Sequence, residues 1–472
     1  MSRALVALLA RRKQFGRRAV GIGALRRRIP FTCLLQQESC QRPDSLRNMS
    51  HPKCTVTMAA VATVLHSISG VSANFPVASC TENALRSAVA SAASGDTIDL
   101  SICAQSTITL TTGALIVNQH DLAFSGAQGA TISGGKASAV VISGNTGTIS
   151  FTNLSIKDGF AKASSTISGG CISTYGSVVL SHSLVSGCSA ISNNNGAYGG
   201  GIYAAGTVSL DSSVVTGNYT KAPGLAEGGG IFSIGGVSAT FSEIVGNNAL
   251  GQTGIAGGIY SSGTTNIRYS TIASNYAQTA GGGVAAFTPN TILIANSTIA
   301  ENHAGSSGGG VMLTSAQIPA AVISNCTVAG NGANDSGGAL FQNNGKANVI
   351  SSIFAENFAP LYSNFFANQS ANPAALIGGA HNLIDNDTNS TNVPFPQTFA
   401  IVGDPQLGDL EWNGGPTRTR AIPPGSAAIG GGVTNINDLR FDQRGKGHPR
   451  TSSGSMDIGA VQSEPLFADD FE

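Results

Sequence analysis

Seven times between residues 188 and 357 the chain returns to the same side-chain set, at successive intervals of 30, 29, 28, 27, 29 and 26 residues. The recurring position is Cys188, Asn218, Asn247, Asn275, Asn302, Asn331 and Asn357. Three places earlier stand Val185, Val215, Ile244, Ile272, Ile299, Val328 and Phe354. Five places earlier stand Ser183, Ser213, Ser242, Ser270, Ser297, Cys326 and Ser352, and eight places earlier Leu180, Leu210, Ala239, Ile267, Ile294, Ile323 and Val349. Glycine runs deliver a fourth register: Ile172, Ile202, Ile231, Ile259, Val284, Val311 and Ala339. Four registers held in step with the recurring position over seven units make this an internal repeat.

The apolar runs between turn signals span three to five residues, too short for helical repeats. Leucine is a minority in every column, which argues against leucine-rich repeats, and the aromatic signatures of propeller blades are missing. The expectation is an all-β fold, a right-handed single-stranded parallel β-helix with one coil per repeat. Strands of neighbouring coils then lie ~4.8 Å apart, so each column becomes a physical stack. Aliphatic stacks fill the interior, at roughly 1.5–3 kcal/mol per buried side chain. The serine stack suits a narrow place where a small side chain bonds to backbone, and Cys326, standing in it, reads as a buried, inert thiol. Asparagine is expected at a tight left-handed corner. The glycine triplets supply positive φ and close approach of coils at another. No Lys-Ser/Thr follows them, so they are not phosphate loops.

The open ends of such a rod require caps. Residues 81–93 place Leu85, Ala88, Val89 and Ala92 on one helical face with Thr81 as N-cap, a helix that closes the N-terminal end. Residues 74–150 read as this cap and the first coils, with strands at 95–100, 107–110 and 114–117. Residues 151–400 read as β-helix repeats of about 28 residues.

Charge divides the chain. Residues 1–73 hold 12 of the 25 Lys+Arg but only Glu38 and Asp44, so the rest carries 13 bases against 23 acids, a net of −10. An acidic body of this kind is a poor partner for nucleic acid or anionic lipid. Residues 1–48 are expected to be a doubtful N-terminal extension or the product of a mis-set start. Residues 49–73, with Lys53, an apolar run and small residues Val71 and Ala73, are laid out as a signal peptide. No later stretch is long and apolar enough for a membrane-spanning helix. An exported, extracellular or cell-surface protein follows. Loss of Cys33, Cys40 and Cys54 with that leader leaves five cysteines, of which Cys80 with Cys103 is the preferred disulfide and Cys171 with Cys188 a second. Wide spacings without nearby histidines argue against zinc, and no metal or cofactor is expected.

Gly-Gly-x-Ile paired with apolar-x-x-Asn resembles the repeats of chlamydial polymorphic outer-membrane proteins, and Phe354–Asn357 matches their Phe-x-x-Asn form. That resemblance implies a surface-exposed or secreted β-helix, frequently adhesive. Residues 404–430, 442–445 (DQRG) and 457–460 (DIGA) resemble the choice-of-anchor Q domain, placing a C-terminal module at 401–463. The sequence departs from that pattern at Arg420 and Gly430, where histidine and aspartate are usual. Within the module, Arg418, Arg440 and Arg444 are expected to pair with Asp404, Asp442 and Asp457. An acidic–aromatic tail, residues 464–472, follows.

Pectin lyase-like enzymes share this architecture, so a polysaccharide lyase or glycoside hydrolase is the alternative function. Asp211, Asp335, Asp385, Asp387 and Asp404 are scattered among the columns, however, and Arg268 is the only arginine between residues 87 and 417. No catalytic constellation emerges. The Asn/Asp-rich stretch 385–389 reads as a solvated turn rather than a calcium loop. Recognition has a better surface: the corner after each Asn shortens from 14 to 8 residues along the chain, and variable loops in a solenoid map to one face. Tyr198, Tyr219, Lys221 and Tyr276, near Glu227 and His303, are the candidate recognition residues, for a glycan or a surface protein. The expected function is therefore adhesion, glycan or surface binding, or a structural spacer, by a monomer.

Overall fold

The computed structural model describes residues 72–287, 291–314, 321–368, 376–385, 400–433, 440–450 and 455–463. The basic extension, the segment through residue 71 expected to belong to a signal peptide, Asp387 and the acidic–aromatic tail lie outside the described residues. The described chain is a right-handed parallel β-helix. Its sheets contain only parallel pairs between successive coils, apart from one two-stranded antiparallel ribbon (Leu410–Glu411 with Thr419–Arg420). Among the described residues no helix is long and apolar enough to cross a membrane.

A complete coil has five sides, seen between residues 172 and 198. Wall 1 contains Ile172–Thr174 and nine further strands. Wall 2 contains Ser177–Ser181 and eleven more, and wall 3 Leu184–Ser186 and eleven more. Wall 4 has seven strands: Phe160–Ala163, Ser189–Ser192, Tyr219–Lys221, Asn248–Leu250, Tyr276–Ala277, His303–Ala304 and Gly332–Ala333. Wall 5 has four: Ile167–Ser168, Ala197–Tyr198, Leu225–Glu227 and Thr253–Ile255. What the sequence presents as loops after each Asn are therefore two extra walls. Their strands of two to four residues are too short to show a period of two. The shortening of that corner is the loss of wall 5, which among the described residues survives beyond Ile255 as single bridges through Ala280, Ser307, Ser336 and Leu361.

The N-terminal end is closed by helix α1 (Glu82–Ser91), which buries Leu85, Ala88 and Val89. Thr81 Oγ1 accepts from the Ala84 amide. Glu82 clamps the facing turn: its carboxylate accepts from the amides and hydroxyls of Thr111 and Thr112. These bonds hold its pKa far below the usual carboxylate range. The Cys80–Cys103 disulfide ties the segment before α1 to the first coil, and Cys171–Cys188 is also formed.

Inside, the columns are stacks. Leu180, Leu210, Ala239, Ile267, Ile294, Ile323 and Val349 are paired in register and buried. One column needs correction: Val311 pairs with Leu340, and Ala339 instead takes the place of the third glycine. The asparagines Asn218, Asn247, Asn275, Asn302, Asn331 and Asn357 form a continuous interior ladder. From Asn247 onward each Oδ1 accepts from both the amide and the Nδ2 of the preceding rung, as Asn275 Oδ1 does from Asn247 at 2.9 and 3.0 Å, while Asn218 Oδ1 accepts the Cys188 amide. Each Nδ2 also donates to a wall 3 carbonyl of the preceding coil, at 2.9 Å from Asn275 to Ile244. The left-handed corner lies one residue earlier than the sequence implied. Positive φ belongs to Gly217, Gly246, Ser274, Glu301, Gly330 and Glu356, leaving the asparagines to point inward. Serines form a parallel ladder, with each hydroxyl accepting the amide of the rung before it, from Ser183 through Ser297. Cys326 stands in this ladder, fully buried, its pKa pushed up to about 12 by desolvation. The glycine runs behave as expected: Gly199 has φ +63°, and a Cβ on Gly200 would lie 2.2 Å from the Gly229 carbonyl oxygen.

The described residues between 403 and 463 run along the outside of wall 3 as a strap. The outward column there is Glu243, Thr271, Thr298, Thr327, Ile353 and Leu383. Arg418 donates its amide to Glu243 at 2.8 Å, Thr298 donates to Gln443 at 2.6 Å, and Thr327 accepts from the Ala460 amide at 3.0 Å. Ile353 and Leu383 pack with Ile422, Ala428, Ile458 and Val461. Of the expected Arg–Asp pairs, Arg444–Asp442 forms, at 2.7 Å. Arg418 pairs with Glu243, whereas Arg440 is exposed. Asp457 accepts from the amides of Gly430 and Ser463, and Asp404 from that of Gln406 in its own turn. The unusual Arg420 is buried and pairs with Glu356. These partners lie on distant coils, which no spacing within the module reveals.

Candidate functional site

Two outer faces of the rod carry aromatic side chains, and coil spacing separates their chemistry. On wall 1, Tyr203, Phe232 and Tyr260 occupy successive coils. Their rings stack on one another, Tyr203–Phe232 at 5.5 Å and Phe232–Tyr260 at 4.6 Å between centroids. Phe287 continues the stack against Tyr260 at 5.1 Å. Ring faces buried against their neighbours are closed to a ligand. Tyr198, on wall 5, belongs to this cluster: it meets Phe232 edge-on at 5.1 Å. Glu227 stands beside Tyr198 on the next coil. Burial raises the Glu227 carboxyl above its ordinary range, and burial followed by the nearby Glu227 charge raises both Tyr198 and Tyr260.

Wall 4 is built differently. Residues 160, 189, 219, 248 and 276 form one outward column, reading Phe160, Ser189, Tyr219, Asn248, Tyr276. Two residues along each strand, on the same side of the sheet, stand Lys162, Ile191, Lys221 and Leu250. Gln278 continues that second column past Ala277. The intervening Ala190, Thr220, Ala249 and Ala277 point inward and are buried, which fixes the outward set. Tyr219 has Ser189 on one side and Asn248 on the other, so small side chains flank its ring. It makes no ring contact among the described residues. Tyr276 has one face on His303, at 5.8 Å and nearly parallel, and Asn248 on the other side.

The second column floors an open groove of about 740 Å³, lined by Lys162, Ile191, Lys221, Pro223, Leu250 and Gln278 among others. No carboxylate lines it. Lys162 and Lys221 are exposed and form no salt bridge among the described residues. Wall 4 thus combines open aromatic rings, two cations, aliphatic patches and amides, on a body that carries excess negative charge elsewhere. Such a surface can stack on sugar rings, pair with anions and exchange hydrogen bonds with hydroxyls.

The four sequence-derived recognition residues therefore separate. Tyr219, Lys221 and Tyr276 share wall 4, while Tyr198 lies across the corner in the wall 1 cluster. Phe160, Lys162, Ile191 and Leu250 complete the face; only their coil register, invisible before the walls were placed, brings them in. The asparagine ladder is interior and presents nothing to solvent. Among the described residues no group of three or more His, Cys, Asp or Glu side chains is arranged to hold a metal ion.

No protein-family model matches this chain, and no curated protein matches it by sequence. Among the solved structures that resemble it are two polysaccharide lyases. A crystal structure of pectate lyase Pel9A is 14% identical, covering 84% of this chain and 97% of that one, with a TM-score of 0.46. The alginate lyase AlyGC of the PL6 family is 10% identical, covering 74% of this chain and 55% of that one, with a TM-score of 0.30.

Proposed function

We propose that this protein is an exported, surface-associated β-helix that binds glycan through the outer face of wall 4. The observation that carries this reading is the pairing of open aromatic rings with cations and amides on one carboxylate-free face. Two disulfides are in keeping with an oxidising compartment outside the cytosol. The likeness of the repeat to surface-exposed bacterial β-helices points the same way. The face is complete within one chain, so a monomer suffices.

The test is retention of the full chain on a panel of neutral and acidic polysaccharides by affinity electrophoresis. At least one member should retard the protein. The double variant Tyr219→Ala with Tyr276→Ala should weaken that binding by about fivefold to tenfold, from the loss of aromatic contact. Tyr198→Ala should leave it unchanged. Retention by no polysaccharide, or a double variant that binds like the parent, rejects the assignment. The same incubations, with and without calcium, report on the lyase or hydrolase alternative: new unsaturated or reducing ends would reassign the protein as an enzyme.

A further inference from the structure

Over the first five of its seven coils wall 4 carries a second period laid over the coil repeat, which ends where His303 and then Gly332 follow Tyr276. Coils bearing an aromatic residue and a long polar side chain (Phe160 with Lys162, Tyr219 with Lys221, Tyr276 with Gln278) alternate with coils bearing a small polar and an aliphatic one (Ser189 with Ile191, Asn248 with Leu250). The interior columns do not alternate in this way, so packing of the core does not impose the pattern. Two coils span ~9.6 Å, twice the spacing of neighbouring strands. That distance separates Lys162 from Lys221, with Ile191 between them.

We propose that the wall 4 groove holds a linear polysaccharide along the rod axis, and that its ligand has a disaccharide repeat with one anionic group per repeat. This rests on the glycan-binding reading above and names the ligand class. A sugar ring advances a polysaccharide by about one coil, so a two-sugar repeat runs in step with the two-coil period. Its anionic groups then meet Lys162 and Lys221, while its neutral sugars lie over Ile191 and Leu250. A polymer with a carboxylate on every ring places charges against the two aliphatic side chains, where desolvation is uncompensated. The spacing also explains why Tyr219 is flanked by small residues: a bulky neighbour on either coil would close the ring face that a sugar covers. The net negative charge of the body disfavours an anionic chain over much of the remaining surface.

The experiment measures binding of the full chain to three size-matched oligosaccharides by titration calorimetry. They are a hyaluronan oligomer (uronate alternating with a neutral amino sugar), an oligogalacturonate (a carboxylate on every ring) and a neutral dextran oligomer. The alternating oligomer should bind at least tenfold more tightly than either of the others, with an affinity that falls as salt is raised. Lys162→Gln with Lys221→Gln, both at exposed positions, should remove that advantage and flatten the salt dependence. Ile191→Lys, which fills the gap in the cation column, should move the preference toward the oligogalacturonate. Equal or tighter binding of the oligogalacturonate or dextran by the parent protein overturns the proposal while leaving glycan binding in place. So does an unaltered double-lysine variant. If the hyaluronan oligomer does not bind but the polysaccharide panel retains the protein, this proposal fails and the broader one stands. If the panel retains nothing either, both fail.

Discussion

Replacing Asn275 by Ala at the middle of the interior ladder removes four hydrogen bonds at once. Asn275 Oδ1 accepts from the amide and Nδ2 of Asn247, and Asn275 Nδ2 donates to the Ile244 carbonyl and to Asn302 Oδ1, all at 2.9–3.0 Å. Some of these groups retain other partners. Asn247 Nδ2 still reaches the carbonyls of Val215 and Val245, and Asn302 Oδ1 still accepts the Asn275 amide. One is stranded: the Asn247 amide loses its ladder partner in a site that is at most 1% exposed at either asparagine, whereas the Ile244 carbonyl keeps the strand bonding of its pair with Ile272. At about 1–3 kcal/mol for a buried group left without a partner, the substitution should cost roughly that much. Asn275→Asp should cost more, because it sets a carboxylate oxygen against two acceptors and buries a charge. Asn248→Ala, one residue from the ladder but outward-facing, should fall within about 0.5 kcal/mol of the parent. Urea unfolding followed by far-UV circular dichroism supplies all three values. A loss below about 1 kcal/mol for Asn275→Ala, or an Asp variant more stable than the Ala variant, refutes the ladder as a source of stability.

Further outcomes follow from titratable groups. Glu227 has a folded pKa raised by burial, so its ionisation opposes folding, by an amount that grows as pH rises from its unfolded value to its folded one. Glu227→Gln should therefore raise Tm near pH 7 and leave it unchanged near pH 3; equal effects at both would contradict this. Glu82 has the opposite sign: its depressed pKa means stability fully present above the unfolded value, near 4.5, and lost as pH falls further. The destabilisation caused by Glu82→Gln should shrink steadily below that pH, and a pH-independent difference between pH 7 and pH 3 would remove the clamp from the account. Cys326 should resist iodoacetamide in the native protein and react only on unfolding. Cys326→Ser, which restores the hydroxyl found at most other rungs, should hold stability within about 1 kcal/mol.

Much of the architecture is legible in the chain because a solenoid turns sequence period into spatial stacking. Leu180 and Leu210 are 30 residues apart and lie side by side for that reason alone. The Asn and Ser columns and the glycine corners follow from local rules applied once per coil, and the capping helix with Thr81 from helix-start chemistry. The errors arose where one residue of slippage matters. Ala339 reads as aliphatic, yet the register gives that place to Leu340, because alanine can replace a glycine whose backbone does not require positive φ. The asparagines read as corner residues because asparagine tolerates left-handed backbone, but a residue with two donors and an acceptor is worth more inside, where each can be satisfied.

The sequence by itself determined the repeat, the parallel coil and the identity of the interior stacks, since each depends on residues recurring at one interval. Only the tertiary structure decided that the tyrosines stand on short strands rather than loops. It also parted Tyr198 from Tyr219 and Tyr276, and put a two-coil alternation on the first five coils of wall 4. Coils of unequal length shift these outward residues relative to one another, and hydrogen bonding between coils restores their register. The strap was likewise beyond any reading of spacing. Glu243 meets Arg418 across 175 residues, and Thr298 meets Gln443 across 145. Such pairs are set by the direction in which the chain turns back along wall 3, and no local preference encodes that direction.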